Sequence, residues 1–150
     1  MIKTPIRLSL AFVVWFAASA AFAGSSLTPA GDLRIPKKEI TPVAKFYQYK
    51  AGSVLIEVLA LRAPDGTVRT AFNTCQVCYA SGRGFYTQKG DVLVCNNCGN
   101  RFLASQVELI KGGCNPVPIT SDLKTETADY ITIPKALFEQ AVPLFLRWKK

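Results

Sequence analysis

The sequence predicts a small β-rich α+β domain, with two hairpins, a cysteine centre in its middle and a helix at its C-terminus. Three observations predict this class. Short aliphatic or alternating runs are separated by Gly and Pro turns, two C-x2-C units flank a hairpin-like spacer, and apolar residues recur at helical spacing near the end. The 150 residues include five cysteines and no histidine. Without histidine, hydrolytic triads and His-based zinc or copper sites are disfavoured, so sulfur must supply most of the chemistry.

The first 23 residues have the order of an export signal. Lys3 and Arg7 precede an apolar run, and residues 21–23 read Ala-Phe-Ala, the small-x-small pattern of a cleavage site. An uncleaved membrane anchor is the alternative, although the apolar stretch of 16 residues is shorter than the ~20 that span a bilayer. Either way, we expect the domain in the periplasm or on the outer face of the cytoplasmic membrane, with membrane contact through this segment.

Residues 24–42 contain three prolines and no amphipathic period, which predicts a linker or an extended arm. The domain is then predicted to span residues 43–150. The chain carries 18 Lys and Arg against 10 Asp and Glu, a net charge of +8. Such a charge suits an anionic membrane surface or an acidic redox partner, while the export signal argues against nucleic acid.

The first half of the domain is predicted to be strands. Residues 43–50 alternate aromatic and polar side chains, and residues 53–62 are aliphatic enough for a strand buried on both faces. The sequence APDG at 63–66 is a turn signal, and residues 67–73 alternate as a return strand. This first hairpin leads the chain directly to Cys75.

The end of the domain is predicted to be one strand and one helix. Residues 128–134 form a short strand pattern, and the residues after them are apolar at helical spacing as far as Trp148. This stripe is typical of core packing. Pro143 is expected to kink the helix or to end its first part.

Four of the cysteines follow the spacing of a four-sulfur metal site. Cys75, Cys78, Cys95 and Cys98 read C-x2-C-x16-C-x2-C. Two sulfurs from one tight turn can occupy adjacent corners of a tetrahedron around a metal, and backbone N–H groups of the turn stabilise their charge. Gly99 follows the second unit and allows a positive φ, whereas the equivalent position of the first unit is not glycine, so the second turn is the better match.

The spacer between the two units predicts a second hairpin. Its residues 79–94 run from a Gly-rich start through two aromatics to a turn at 88–91 and an aliphatic return strand. Two cysteine turns joined by a hairpin form a zinc-ribbon or rubredoxin-like arrangement. Disulfides are the main alternative, since exported cysteines usually pair. A thioredoxin-type redox centre is less favoured, because no βαβ pattern surrounds either unit.

Cys114 makes the cysteine count odd. It follows Gly112 and Gly113, which permit a sharp backbone turn close to a neighbouring group. A fifth metal ligand, a buried free thiol and an intermolecular bridge all remain open for this residue.

Residues 69–102, followed by GGCNPVPI at 112–119, resemble the FtrD-like membrane iron–sulfur protein family over roughly residues 43–133. The resemblance implies that all five cysteines are candidates for binding a metal or cluster. It also implies a link to ferrous-iron uptake, with a membrane permease or a redox partner of that system. Family members often carry transmembrane segments, whereas this chain has one N-terminal apolar segment.

The resulting hypothesis is an exported iron or iron–sulfur protein that acts in iron uptake or electron transfer. Cys75, Cys78, Cys95 and Cys98 are its predicted metal ligands, and Cys114 is a fifth ligand or a nearby thiol. If the metal is iron, Phe85 or Tyr86 is expected to screen it from water. The signal lacks an Arg-Arg pair, so a single Zn²⁺ or Fe²⁺ acquired outside the cytoplasm fits more easily than a preassembled cluster.

Two other functions remain open. One is a structural zinc ribbon that serves a membrane complex as an interaction module. The other is a disulfide-stapled domain or a thiol–disulfide redox protein. A binding or electron-transfer role is favoured over an enzyme, and the sequence predicts no oligomeric state.

Overall fold

The computed structural model describes residues 31–150, so the predicted export signal and the first seven residues of the predicted linker, 24–30, lie outside the described residues. The described chain forms short strands followed by one α-helix. In chain order these are β1 (Leu33–Pro36), β2 (Lys45–Ala51), β3 (Val54–Arg62), β4 (Val68–Cys75), β5 (Tyr86–Lys89), β6 (Val92–Cys95), β7 (Arg101–Leu103), β8 (Pro116–Pro118), β9 (Thr125–Glu126), β10 (Tyr130–Ile133) and α1 (Lys135–Phe145). Three small antiparallel sheets and a C-terminal helix confirm the β-rich α+β class.

The largest sheet has four strands in the order β2-β3-β4-β8. β3 and β4 form the predicted first hairpin, in which Arg62 lies opposite Val68. β3 is buried over most of its length, as expected for a strand with two covered faces. β4 is predicted to alternate, yet all eight of its residues are buried. The polar side chains of Thr70 and Asn73 can be buried because they form hydrogen bonds inside the protein.

A second sheet, in the order β5-β6-β7, contains the predicted second hairpin. Lys89 lies opposite Val92, and Gly90 takes the positive φ of 63° that this tight turn needs. The same register places Tyr86 opposite Cys95. The first residue of β5 therefore lies beside the last residue of β6, where the cysteine region begins.

The third sheet, in the order β1-β10-β9, contains a strand that the sequence pattern did not predict. β1 lies inside the segment that the prolines predicted to be a linker or an extended arm. It pairs with β10, and the side chains of Leu33 and Ile35 are buried at 4% and 0% exposure. The alternating apolar residues form a strand here because Pro36 stands at its last position, where its missing N–H interrupts little pairing.

Helix α1 packs against the four-stranded sheet and carries the predicted aromatic stripe. Phe138 stacks on Tyr49 with ring centroids 3.8 Å apart and meets Phe72 edge to face. The sequence predicts that Pro143 kinks the helix or ends its first part; the helix contains this proline and ends two residues after it, at Phe145. The side chain of Phe145 is 3% exposed, and the free energy gained by burying it offsets part of the cost of a proline inside the helix.

The buried side chains form two clusters. The larger one joins the helix to the sheets on either side of it, and the smaller one surrounds the cysteines. Cys75, Cys78 and Cys95 belong to the smaller cluster, together with apolar side chains such as Leu93 and Phe102. Within residues 31–150, no helix is long and apolar enough to cross a membrane.

Candidate metal centre

All five cysteines lie together in space, and each is a free thiol. Their sulfur atoms form two groups of three, and within each group all sulfurs lie within 4.8 Å of one another. The first group is Cys75, Cys78 and Cys95, and all three are buried. The second group is Cys78, Cys98 and Cys114, which extends to the surface because Cys98 is exposed. Cys78 belongs to both groups.

Two strand ends bring the first group together. Cys75 is the last residue of β4 and Cys95 is the last residue of β6, so each leaves its sheet as a turn begins. The backbone of Cys75 donates to the Gly84 carbonyl at 2.6 Å. The side-chain oxygen of Asn73 accepts a 2.8 Å hydrogen bond from the Tyr86 N–H. These two bonds join the four-stranded sheet to the cysteine hairpin.

Strand β8 brings Cys114 to the same place. Pro116 lies opposite Cys75 in the sheet, and the Gln76 N–H donates to the Asn115 carbonyl at 3.1 Å. Gly112 has a positive φ of 86°, and its N–H donates to the Gln76 side chain. The double glycine thus allows the chain to turn sharply beside the first cysteine unit, close to the sulfurs.

The two C-x2-C turns use the same hydrogen-bond pattern. In the first, the N–H groups of Val77 and Cys78 point at the Cys75 sulfur, and the distance from the Cys78 nitrogen to that sulfur is 3.4 Å. In the second, the N–H groups of Asn97 and Cys98 point at the Cys95 sulfur. Such N–H groups stabilise a thiolate whether or not it holds a metal.

The two turns differ in the residues after their second cysteine. After the second unit, Gly99 takes a φ of 73° and donates to the Cys95 carbonyl, as its position predicts. After the first unit, Tyr79 begins a single 3-10 turn that ends at Gly82, whose φ is 79°. Gly84 then passes so close to the turn that a Cβ on it would lie 2.8 Å from the Tyr79 nitrogen. The first unit therefore closes without a glycine directly after Cys78.

The thiols differ in acidity because their surroundings differ. Burial raises the pKa of Cys75, but the nearby Tyr86 hydroxyl and the hydrogen bonds from backbone N–H groups outweigh it, and the net shift is downward. Burial raises the pKa of Cys78, and it raises that of Cys95 to about 12. The N–H of Asn100 lowers the pKa of Cys98 to about 7.

A hydrogen bond with the Cys98 sulfur, followed by burial, raises the pKa of Cys114 to about 12. The acidic Cys98 and the weakly acidic Cys114 thus share a hydrogen bond. The low pKa of Cys98 makes its thiolate available near neutral pH.

Tyr86 is the residue that connects the two sulfur groups. Its side chain is 1% exposed, its hydroxyl donates to the Cys114 carbonyl at 2.7 Å, and the same hydroxyl approaches the Cys75 sulfur. The Asn100 side chain donates to the same Cys114 carbonyl at 2.9 Å. Phe85, by contrast, packs edge to face on Trp148, 6.2 Å between ring centroids. Of the two aromatics expected to cover the centre, Tyr86 is the one that lies against it.

Behind the cysteines lies a buried polar group that the sequence pattern did not reveal. Glu57, 5% exposed, accepts hydrogen bonds from the Asn73 amide at 2.7 Å and from Lys149 at 3.2 Å. The Trp148 indole N–H donates to the Asn73 carbonyl at 2.8 Å. The available signal was Glu57, the only charged residue of β3 before Arg62 at its end, because a buried carboxylate needs partners.

The donor set fits a metal. Thiolate sulfur is the ligand of structural zinc, of thiolate-bound iron and of iron–sulfur clusters. Four sulfurs bound to one ion at about 2.3 Å would lie about 3.8 Å apart, which is within the spacing found here. The three sulfurs of each group therefore need little movement to share a metal. The identity of the cysteines that bind the metal remains a prediction from the sequence.

Comparison with known proteins identifies the family of this chain. None of the curated proteins and none of the solved structures that were compared matches the chain. The sequence model of a family described as membrane iron-sulfur containing protein FtrD-like matches residues 41–145. This range holds all five cysteines and runs from before β2 to the last residue of α1. With more than half of its length matched, the chain belongs to the FtrD-like family of membrane iron–sulfur containing proteins.

Proposed function

We propose that this chain is an exported metal-binding protein that uses its cysteine centre in iron handling or electron transfer. The observation that carries the proposal is the convergence of five free thiols from three separate parts of an FtrD-like chain. Thiols this close repel one another when ionised, so their grouping is costly unless a cation neutralises them. A bound metal supplies that cation.

The proposed ligands are Cys75, Cys78, Cys95 and Cys98, with Cys114 as a fifth ligand or a neighbouring thiol. The centre is rubredoxin-like or zinc-ribbon-like in this proposal, with one cysteine turn from each side of a hairpin. The sulfurs of Cys75, Cys78 and Cys95 lie within 4.8 Å of one another, and the Cys98 sulfur lies within that distance of the Cys78 sulfur, which favours thiolates that share an ion. In an iron–sulfur cluster the cysteine thiolates bind different irons, so more of their sulfur atoms would lie farther from one another.

Bound iron would supply a one-electron redox couple. The chain's own residues would then set its properties. The N–H groups directed at Cys75 and Cys95 stabilise the more negative state, and the side chains of Tyr86 and Leu93 exclude water on the inner side. The exposed Cys98 gives an electron-transfer partner close access to the centre.

The location and partners follow from the sequence and the family. The export-signal pattern supports a periplasmic or membrane-tethered protein, and the family description supports a membrane association. A permease or redox protein of a ferrous-iron uptake system is the proposed partner. The net charge of +8 favours an acidic docking surface on that partner.

The test is metal and acid-labile sulfide analysis of the full chain purified from the cell envelope of its own host, together with its visible spectrum. Bound iron with thiolate charge-transfer absorption supports the proposal. Cys98→Ser combined with Ser121→Cys is a suitable control, because it keeps five cysteines while removing one from the centre. That variant is expected to lose or shift the absorption. Protein that contains no metal and two stable disulfides would refute the proposal.

A structural zinc centre is the second candidate, and one observation favours it. Three of the cysteines belong to the smaller of the two buried clusters. A metal bound there would stabilise a part of the fold that buries little apolar surface. Colourless protein with stoichiometric zinc, which unfolds around the cysteines when zinc is removed, would select this function over electron transfer.

A further inference from the structure

We infer that the cysteine centre holds two metal ions, with the Cys78 thiolate shared between them. The inference rests on the proposed metal-binding function and goes beyond it in the number of ions. The inner ion would lie among Cys75, Cys78 and Cys95, and the outer ion among Cys78, Cys98 and Cys114.

The arrangement of the sulfurs is the first argument. A single tetrahedral site needs one group of four sulfurs, whereas the described sulfurs form two groups of three with one member in common. A thiolate sulfur has more than one lone pair, so it can bind two cations at once. Among the described residues, Cys78 is the cysteine that stands where both groups meet.

The charge of the centre is the second argument. One divalent ion bound by four thiolates leaves a net charge of −2 and a fifth sulfur that must stay protonated. Two divalent ions among five thiolates leave a net charge of −1. Because three of the five sulfurs are buried, the arrangement with the smaller residual charge costs less desolvation.

The third argument is how firmly the chain holds Cys114 in place. Its carbonyl accepts hydrogen bonds from Tyr86 at 2.7 Å and Asn100 at 2.9 Å, and the next residue accepts one from the Gln76 backbone. Two of these three donors come from the cysteine hairpin and its second turn. A spare thiol would not need such positioning, but a ligand that must meet Cys98 and Cys78 does.

The two ions would differ in access. Cys75 and Cys95 are 0% and 1% exposed, so an ion among them is enclosed. Cys98 is exposed and Cys114 is half-buried, so the outer ion has an open position for water or an external ligand. Three protein ligands with one open position are typical of sites that exchange or react, and all-sulfur ligands select soft or borderline ions such as Zn²⁺ and Fe²⁺.

The test is a Zn²⁺ titration of the reduced, metal-free full chain, followed by native mass spectrometry. The inference predicts two Zn²⁺ per wild-type chain, the outer one removed first by a chelator. Cys114→Ser is expected to retain one Zn²⁺. Wild-type protein that saturates at one Zn²⁺, which Cys114→Ser binds as tightly, would overturn the inference and leave the proposed function intact. No Zn²⁺ binding at all would overturn both.

A second measurement keeps the test independent of how well the variants fold. Wild-type protein loaded with ¹¹³Cd²⁺ alone should give two cadmium resonances in the region of thiolate ligation, with coupling through the shared sulfur. One resonance would contradict the inference. Cys114→Ser with Ser121→Cys serves as the matched control, because it keeps five thiols but should give one resonance.

Discussion

The hydroxyl of Tyr86 donates a 2.7 Å hydrogen bond to the Cys114 carbonyl oxygen, across 28 residues of chain. Tyr86 begins β5 and Cys114 lies just before β8, so this bond joins two different sheets over the cysteines. Because the same hydroxyl approaches the Cys75 sulfur, one buried side chain positions members of both sulfur groups.

Tyr86→Phe should therefore loosen the centre without removing a ligand. Losing the hydrogen bond should lower the free energy of unfolding by about 1 kcal/mol, since the Asn100 amide still binds the Cys114 carbonyl. We also expect faster loss of metal to a chelator. Urea unfolding and chelator kinetics of the metal-loaded protein measure these effects.

Tyr49→Phe is the matched control for this prediction. Tyr49 is also 1% exposed, and its ring stacks on Phe138 in the helix-side core. Tyr49 belongs to the larger buried cluster, which contains no cysteine. Equal chelator kinetics for the two variants would contradict the role of the Tyr86 hydroxyl.

Gly84→Ala should damage the first cysteine turn. The added methyl group would overlap the backbone of Cys78 and lie 2.8 Å from the Tyr79 nitrogen, so the turn must shift. Such overpacking costs typically about 1–3 kcal/mol, and here it also moves a ligand. We expect reduced metal content and a lower midpoint in urea.

Gly31→Ala is the control for the glycine change, because a Cβ on Gly31 would meet nothing within 4 Å. Its φ also lies outside the left-handed region. Metal content and stability should match those of the unmodified chain. If Gly84→Ala behaved like Gly31→Ala, the close approach of Gly84 to the turn would be wrong.

Lys149→Met should weaken the buried polar group behind the cysteines. Methionine keeps the apolar stem, but the buried Glu57 carboxylate loses a cation and keeps only the Asn73 amide. Because Lys149 is partly exposed, we expect a loss of about 1–2 kcal/mol rather than the larger cost of a fully buried pair. Thermal or urea unfolding measures this loss.

A double-mutant cycle separates the pair from the packing. Adding Glu57→Gln to Lys149→Met removes the unpaired charge and should recover part of the loss. Lys150→Met, at the neighbouring exposed position, should have little effect. Additive effects of the two substitutions would show that Glu57 and Lys149 do not interact.

The sequence predicts strands and hairpins best where turn chemistry and hydrophobic pattern agree, as in β3, β4 and the β5–β6 hairpin. The hairpin register even places Tyr86 beside Cys95, since a two-residue turn at Gly90 and Asp91 sets Lys89 opposite Val92. β1 was not predicted, because its partner β10 lies about a hundred residues away and its own prolines resemble a linker.

The position of Cys114 could not be predicted for the same reason, since its neighbours are distant in sequence. Its neighbouring glycines predict a sharp turn, but only the pairing of Pro116 with Cys75 shows which residues the turn approaches. Likewise, nothing in the local pattern of Lys149 indicates that it reaches Glu57. Contacts between residues far apart in sequence depend on the tertiary fold, which propensity and spacing do not specify.

Metal removal should affect the two halves of the domain unequally. Three cysteines belong to the smaller buried cluster, whereas the larger cluster packs around α1 without any cysteine. Hydrogen exchange of the metal-free protein should therefore show faster exchange in β6 and β7 and little change in α1 and β10, whose buried residues all belong to the larger cluster. Uniform loss of protection across all four elements would contradict the division into two clusters.

The central claim is that thiolates of this chain bind a metal, and X-ray absorption at the metal edge tests it most directly. The full chain, purified from the cell envelope of its own host, should show a first coordination shell dominated by sulfur at about 2.3 Å. A shell of oxygen or nitrogen atoms alone, or protein whose intact mass reveals two disulfides and no metal, would contradict the account.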